Sequence, residues 1–319
     1  MQRGPDDLPL EGFADRLARN LPDPGGVLEP GRWRPLRSLL WMAAMLVVLV
    51  AILSLQSVVR SVTSDATAIL AMAFVTVVLG YGAYAALVRW GEKRAPVELR
   101  LAALPVELAS GVATGAAISG ATIGLLARTD AYTITPGVWS DKLHDVRETL
   151  GTGLLEELLA RLVIFRLLAR AFRVDVALAL SAALFGLAHL ANPDASIASA
   201  VAIAIEAGLT FAGFYMLTGR VWMSVGAHAG WNFTLGAIFG ARVSGMPSEG
   251  SLFVSLPSAG APVWLTGGGF GPEASPVAVI IGLAVFAVVL RLTLAGNAFP
   301  SLPRPLSITH RKPSKRDAC

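Results

Sequence analysis

The chain has 319 residues, of which 54% are hydrophobic and only 15% are charged. Soluble domains carry roughly a quarter charged residues, so this composition excludes an ordinary soluble fold. The single cysteine, Cys319, excludes a disulfide framework and a cysteine-ligated metal site. The basic residues lie between apolar runs and form no stripe, so nucleic acid is not an expected partner. The composition predicts a polytopic membrane protein with the lipid bilayer as its environment.

The apolar runs predict an all-α transmembrane helical bundle. Residues 1–38 are polar and rich in proline, which indicates a flexible cytoplasmic leader, and we expect no cleaved signal peptide. Crossing the hydrocarbon core takes about 20 apolar residues, and the first uncharged run meets that length. We expect about eight spans, at residues 39–59, 66–88, 101–127, 148–169, 175–191, 196–218, 221–240 and 276–296.

The basic residues predict the orientation of these spans. With a cytoplasmic N-terminus, 20 of the 26 lysines and arginines fall on the cytoplasmic side and five on the other, while Arg161 lies within a span. The positive-inside rule therefore predicts a multi-pass protein of the cell inner (plasma) membrane with both termini cytoplasmic. Residues 241–275 become a long outer loop, which contains apolar stretches that can lie on the interface. Residues 297–319 become a basic cytoplasmic tail.

The third predicted span carries two pairs of glycines at a spacing that lets helix backbones approach closely in lipid. They are Gly111 with Gly115, and Gly120 with Gly124. Since the chain has 32 glycines, chance spacing is the alternative.

The fourth predicted span contains three charges, Glu156, Glu157 and Arg161. Each charge at the centre of a span costs about 2.5–3.5 kcal/mol, so three of them need a reason. Glu157 and Arg161 are four residues apart and share a helix face, whereas Glu156 points about 100° away. We therefore expect Glu157 to pair with Arg161 and Glu156 to be free for chemistry. The alternative is a buried ion network that only fixes helix packing.

Two of the four histidines also fall within predicted spans. His189 ends the fifth span four residues after Phe185, and His228 lies in the seventh span four residues before Asn232. A single such histidine is usually a hydrogen-bonded core residue. Ionisable groups on three spans instead indicate a functional cavity, because intramembrane charges normally face one.

Carboxylate and imidazole groups suit the hydrolysis of an amide bond. A glutamate can act as general base towards water, or a divalent metal such as zinc can lower the pKa of that water. Two histidines and one glutamate form a known catalytic zinc set, which Glu156, His189 and His228 can supply. The chain has no H-E-x-x-H sequence, so it carries no standard zincin helix.

At these positions residues 148–240 resemble the type II CAAX prenyl endopeptidases and their bacterial relatives, grouped as CPBP intramembrane metalloproteases. Each of the family's three motifs is weak alone, but here they occur in the expected order on separate spans. They read Glu156-Glu157-x-x-x-Arg161, Phe185-x-x-x-His189 and His228-x-x-x-Asn232.

The first motif departs from the usual family pattern at Ala160 and Leu162, where the family commonly has an aromatic residue and a glycine. This departure affects the expected shape of the cavity and therefore the substrate more than the chemistry.

The resemblance implies an intramembrane endopeptidase that acts on a peptide or a membrane protein. Glu156 and His189 would activate the attacking water, while His228 and Asn232 would stabilise the oxyanion or help to hold a metal. A non-catalytic scaffold or regulator and a proton-coupled transporter remain as alternatives.

Two further acidic residues, Glu107 and Glu206, lie in predicted spans outside the motifs. We expect Glu107, near a span end, to reach the membrane interface. We expect Glu206, which is deeper, to line the same cavity as the motif residues.

Overall fold

The apolar runs form long helices that pack into a bundle, as seen in a computed structural model of the protein. The structure describes residues 12–140, 145, 147, 149 and 151–296. The predicted basic tail, residues 297–319, lies outside the described residues. Helices of the first half are α1 (Phe13–Ala18), α2 (Arg34–Val62), α3 (Ala66–Gly91) and α4 (Leu104–Arg128).

The second half of the bundle begins with α5, which runs over residues 151–171. Its turns are widened to π-helical geometry over Gly151–Glu156 and Leu158–Phe165, and they are regular over Arg166–Ala171. Such turns are rare and often mark functional sites. The helices that follow are α6 (Val174–Ala188), α7 (Ile197–Thr218), α8 (residues 222–238) and α9 (Pro276–Ala295).

Six of these helices, rather than the expected eight, are long and apolar enough to cross a membrane: α2, α3, α4, α6, α7 and α9, some with short flanking turns. The other two predicted spans are helical but differ in composition or length. α5 carries five charged residues, and α8 has 17 residues, fewer than the roughly 20 that a span requires. Both helices are largely buried in protein, so their outer surfaces do not have to match lipid. They are also the helices that carry the first and third motifs.

Glycines bring α4 and α8 into backbone contact. A Cβ added at Gly111 or Gly115 would collide with the backbone of α8 near Ala227. Conversely, a Cβ at Gly226 or Gly230 of α8 would collide with the backbone of α4. The close approach expected for the first glycine pair of α4 is therefore confirmed. The same expectation is wrong for the second pair, Gly120 and Gly124. An added Cβ would meet only the edge of one side chain at Gly120 and nothing within 4 Å at Gly124.

A small antiparallel sheet covers one end of the bundle, which an all-α expectation did not include. Strand β1 (Tyr132–Pro136) pairs with β2 (Phe253–Pro257), with Ile134 opposite Ser255. β1 is rich in β-branched residues, which favour extended structure. The long outer segment is therefore paired to the α4–α5 connection, and only part of it is free: Trp264, in a single helical turn after β2, is 69% exposed.

At the other end of the bundle, residues 12–33 of the expected flexible leader pack against the helices. Leu17 and Leu28 are each 1% exposed. The side chain of Asn20 donates hydrogen bonds to the carbonyl oxygens of Met216 (3.1 Å) and Leu217 (2.9 Å) at the end of α7. This half of the leader is anchored by both apolar burial and hydrogen bonds.

The same end contains a buried ion-pair network. Arg166 of α5 donates two hydrogen bonds to the carboxylate of Glu92, at 2.7 and 2.8 Å. Arg94 makes a similar two-bond contact with Glu98, at 2.8 Å each. Paired guanidinium–carboxylate contacts satisfy the buried charges on both sides, so removing one partner would leave a buried charge uncompensated.

Candidate active site

The first motif places its two glutamates in different environments, as the helical spacing predicts. Arg161 Nε donates to Glu157 Oε2 at 2.8 Å, and both side chains are fully buried. Glu156, by contrast, has a side chain that is 37% exposed. The expected pair between Glu157 and Arg161 is confirmed, and Glu156 is the carboxylate that water can reach.

His228 links the two glutamates. Its Nδ1 lies 3.1 Å from Glu157 Oε1, and its Nε2 lies 4.0 Å from Glu156 Oε2. Because the carboxylate of Glu157 already accepts a hydrogen bond from Arg161, it acts as an acceptor towards His228 as well, and Nδ1 carries the proton. A carboxylate that orients one histidine nitrogen leaves the other nitrogen facing the reacting groups.

The second motif forms a one-turn unit at the end of α6. His189 Nδ1 lies 2.8 Å from the carbonyl oxygen of Phe185. A carbonyl only accepts, so Nδ1 is the protonated nitrogen, and Nε2 of the neutral ring has a free lone pair. The Phe185 ring centroid lies 4.8 Å from the His189 ring and 6.2 Å from the His228 ring. Phe185 therefore packs against both histidines.

Aromatic rings shield the buried arginine of the first motif. The guanidinium carbon of Arg161 lies 4.7 Å from the ring centroid of Phe185 and 5.7 Å from that of Phe211. Phe211 in turn lies 5.1 Å from His228, centroid to centroid. Cation–π contacts are strongest where water is excluded, so these rings hold Arg161 and His228 in fixed positions.

The motifs from three separate helices meet at one cavity of about 410 Å³. This volume lies within the usual range for ligand pockets. Of the motif residues, the cavity is lined by Glu156, His189, His228 and Asn232. Glu157 and Arg161 stand behind them in the protein interior.

The possible metal set of Glu156, His189 and His228 is not assembled tightly. Among the residues that the structure describes, no group of three His, Cys, Asp or Glu side chains is close enough to hold a metal ion. A three-ligand zinc site requires donor atoms about 2.0–2.2 Å from a common point. In this arrangement the residues do not fit a metal, and the groups available for chemistry are the protein's own side chains.

Glu273, which the sequence analysis did not single out, lies against the same site. Its side chain is buried; Oε1 accepts a hydrogen bond from Trp231 Nε1 at 2.8 Å, and Oε2 accepts from the backbone N–H of Ser244. Burial raises the pKa of the Glu273 carboxyl, while the hydrogen bonds from Ser244 and Trp231 oppose that shift. Together with His189 and His228 it lines a small second cavity. The residue was missed because it falls in a predicted loop, where a charge raises no question.

The structure shows the surroundings of the two acidic residues outside the motifs. Glu107 lies in the first turn of α4, is fully buried and accepts a hydrogen bond from Arg220 Nε at 2.7 Å. Glu206 is fully buried too, but it is not among the residues that line the cavity. Its carboxylate oxygens have no hydrogen-bond partner among the described residues, and its backbone packs against Gly282 of α9.

Comparison with known proteins agrees with the motif assignment. The family model described as Type II CAAX prenyl endopeptidase Rce1-like matches residues 145–234, which include all three motifs. No curated protein and no solved structure gives a significant match to the chain.

Proposed function

Because residues 145–234 belong to the Rce1-like family of type II CAAX prenyl endopeptidases, we propose that this membrane protein hydrolyses a peptide bond in or near the bilayer. The observation that supports this most directly is the shared cavity. It gathers Glu156, His189, His228 and Asn232 from three separate helices.

In the proposed mechanism Glu156 is the general base. It is the only motif carboxylate with an exposed side chain, so it can bind water from the cavity. Glu156 takes a proton from this water, whose oxygen attacks the carbonyl carbon of the scissile amide. His189 Nε2 accepts a hydrogen bond from the second O–H of the water and so orients it. The proton then passes from Glu156 to the amide nitrogen as the C–N bond breaks.

His228 and Asn232 are proposed to stabilise the oxyanion of the tetrahedral intermediate. In its doubly protonated form His228 donates from Nε2, while Glu157 holds its Nδ1 at 3.1 Å. Asn232 lies one helical turn further on α8 and also lines the cavity. Fixed donors of this kind contribute about 100- to 1,000-fold each to the rate.

A divalent metal held by Glu156, His189 and His228 is the alternative mechanism. It requires these side chains to move closer together than they are in this structure. It predicts that a chelator abolishes proteolysis and that added zinc restores it, whereas the glutamate mechanism predicts no effect of chelation.

We also propose that both termini are cytoplasmic and that the protein resides in the cell's inner (plasma) membrane. The support is the distribution of basic residues over the two terminal regions and the connections between the predicted spans, 20 of 26 on one side.

Quantitative proteomics of membranes from cells that express wild type or Glu156→Gln tests the proposed function. Loss of the general base reduces the rate by about 100- to 10,000-fold, so defined cleavage products should disappear in the variant. Glu29→Gln, an exposed residue of the leader, is the matched control and should leave the products unchanged. Identical products from wild type and Glu156→Gln at equal protein levels would contradict a protease. If a phenotype were nevertheless lost, a scaffold would be favoured.

A further inference from the structure

The connections between the helices separate into two groups at opposite ends of the bundle. At one end the leader contacts the α7–α8 turn through Asn20, and the backbone N–H of Val221 donates to the carbonyl oxygen of Glu98 at 3.2 Å. At the other end Asn192 donates to the carbonyl oxygen of Ser244 at 3.0 Å. This second end also carries the β1–β2 sheet.

The candidate active site lies at the end that carries the sheet. Its cavity is lined by Arg60 at the close of α2, by Arg147 before α5, and by Asn192 after α6. The outer loop contributes Met246 and its neighbours. Within the part of the chain that the structure describes, no residue of the leader, of the α3–α4 connection or of the α7–α8 turn lines it.

The charges of the two ends differ sharply. Arg89, Lys93, Arg94 and Arg100 lie around the α3–α4 connection, and further basic residues follow in the leader, the end of α5 and the α7–α8 turn. The connections around the cavity hold only five basic residues. A loop rich in lysine and arginine stays in the cytoplasm during membrane insertion.

From this juxtaposition of cavity and charge we infer that the active site opens to the non-cytoplasmic face of the membrane. The substrate is then a membrane protein or peptide whose scissile segment reaches the bilayer from that side. The cytoplasmic end of the bundle instead holds residues 12–33 of the leader and the ion-pair network of Glu92, Arg94, Glu98 and Arg166, and none of these residues lines the cavity. The identity of the cavity as an active site rests on the proposed function, and its direction of opening rests on the proposed cytoplasmic location of the termini.

The mixed rim of the cavity indicates what such a segment looks like. Arg60 and Arg147 face the same cavity as Asp145 and Glu249, while Met246 is an exposed apolar residue at the rim. A substrate segment in which a short polar stretch adjoins an apolar span fits this lining, because its charged groups can contact the charged rim residues and its apolar groups can contact Met246. The segment expected is therefore the juxtamembrane region on the outer side of a membrane protein.

Cysteine labelling in oriented membrane vesicles tests the direction of opening without any substrate. The only native cysteine is Cys319, so Cys319→Ser provides a cysteine-free background. Met246→Cys reports on the cavity rim, and Asp23→Cys on the leader end; both positions are exposed. In right-side-out vesicles a membrane-impermeant maleimide should label Met246→Cys and not Asp23→Cys, and inside-out vesicles should reverse the result. Labelling of Met246→Cys only from the inside, or equally from both sides, would overturn the inference.

Mapping the cleavage products separates this inference from the proposed function. Peptides lost in Glu156→Gln membranes should derive from non-cytoplasmic juxtamembrane segments. Cleavage sites confined to cytoplasmic segments would overturn the inference and leave the protease intact. Absence of any lost peptide would contradict the protease, while the labelling result would still decide the direction of opening.

Discussion

At the residue scale, one helical turn explains most of the candidate site. The spacing of four residues between Glu157 and Arg161 gives a contact of 2.8 Å, and the neighbouring Glu156 faces the cavity instead. This assignment follows from the helical period alone. The contact between Glu157 and His228 joins residues 71 positions apart and could not be read from the period. Glu273 lies 42 positions after Trp231, outside all three motifs, and only its hydrogen bonds identify it.

Replacing Glu273 with glutamine should disturb the site although the volume hardly changes. The carboxylate accepts N–H donors on both oxygens, from Trp231 and Ser244, whereas an amide can accept on only one. Leaving one buried donor without a partner costs about 1–3 kcal/mol of stability. The indole N–H resonance of Trp231, assigned by its absence in Trp231→Phe, should shift in a ¹⁵N-tryptophan spectrum of the solubilised protein. An unchanged resonance and an unchanged melting temperature would contradict this role.

At the scale of elements, the packing of α4 on α8 depends on the absence of side chains. Hydropathy located both helices to within a few residues, but it could not say which of the two glycine pairs of α4 forms a contact. That depends on the partner: α8 carries its own pair, Gly226 and Gly230, which meet the backbone of α4. Because α8 also carries His228 and Asn232, this contact sets the position of half the candidate site.

Gly115→Ala should therefore destabilise the protein, while Gly124→Ala on the same helix should not. An added Cβ at Gly115 collides with the backbone of Ala227 and Trp231, which cannot move as a side chain can. Overpacking of this kind costs about 1–3 kcal/mol. At Gly124 nothing lies within 4 Å of the new Cβ. The thermal midpoint for loss of the monodisperse protein in detergent measures both effects, and equal midpoints for the two variants would refute the argument.

At the scale of the whole molecule, the N-terminal segment is part of the bundle. Its proline-rich composition predicts flexibility, yet residues 12–33 close the end opposite the candidate site. Apolar residues in such an N-terminal segment can pack against the bundle only if the helices form a groove of matching shape. The groove is built by helices α2, α5, α6, α7 and α9, so the leader's own composition cannot reveal it.

Leu17→Ala on α1 should weaken this docking, whereas Phe13→Ala on the same helix should not. Leu17 is 1% exposed and Phe13 is 46% exposed. Truncating a buried leucine to alanine costs about 2–5 kcal/mol, while an exposed phenylalanine loses little packing. Trypsin should therefore cleave after Arg16 or Arg19 much faster in Leu17→Ala than in wild type, and Phe13→Ala should resemble wild type. Equal cleavage rates in all three proteins would show that the leader is not held by Leu17.

The sequence by itself determined the positions of the helices, the inner partner of Arg161 and the three motifs of the candidate site. These features depend on local periodicity and on the free energy of transfer to lipid, both of which are properties of short stretches of chain. Only the tertiary structure decided the rest: α5 and α8 are enclosed by the other helices, Glu273 joins the site, and the cavity lies at the end with few basic residues. Such features arise from contacts between distant residues, whose formation depends on how whole helices pack.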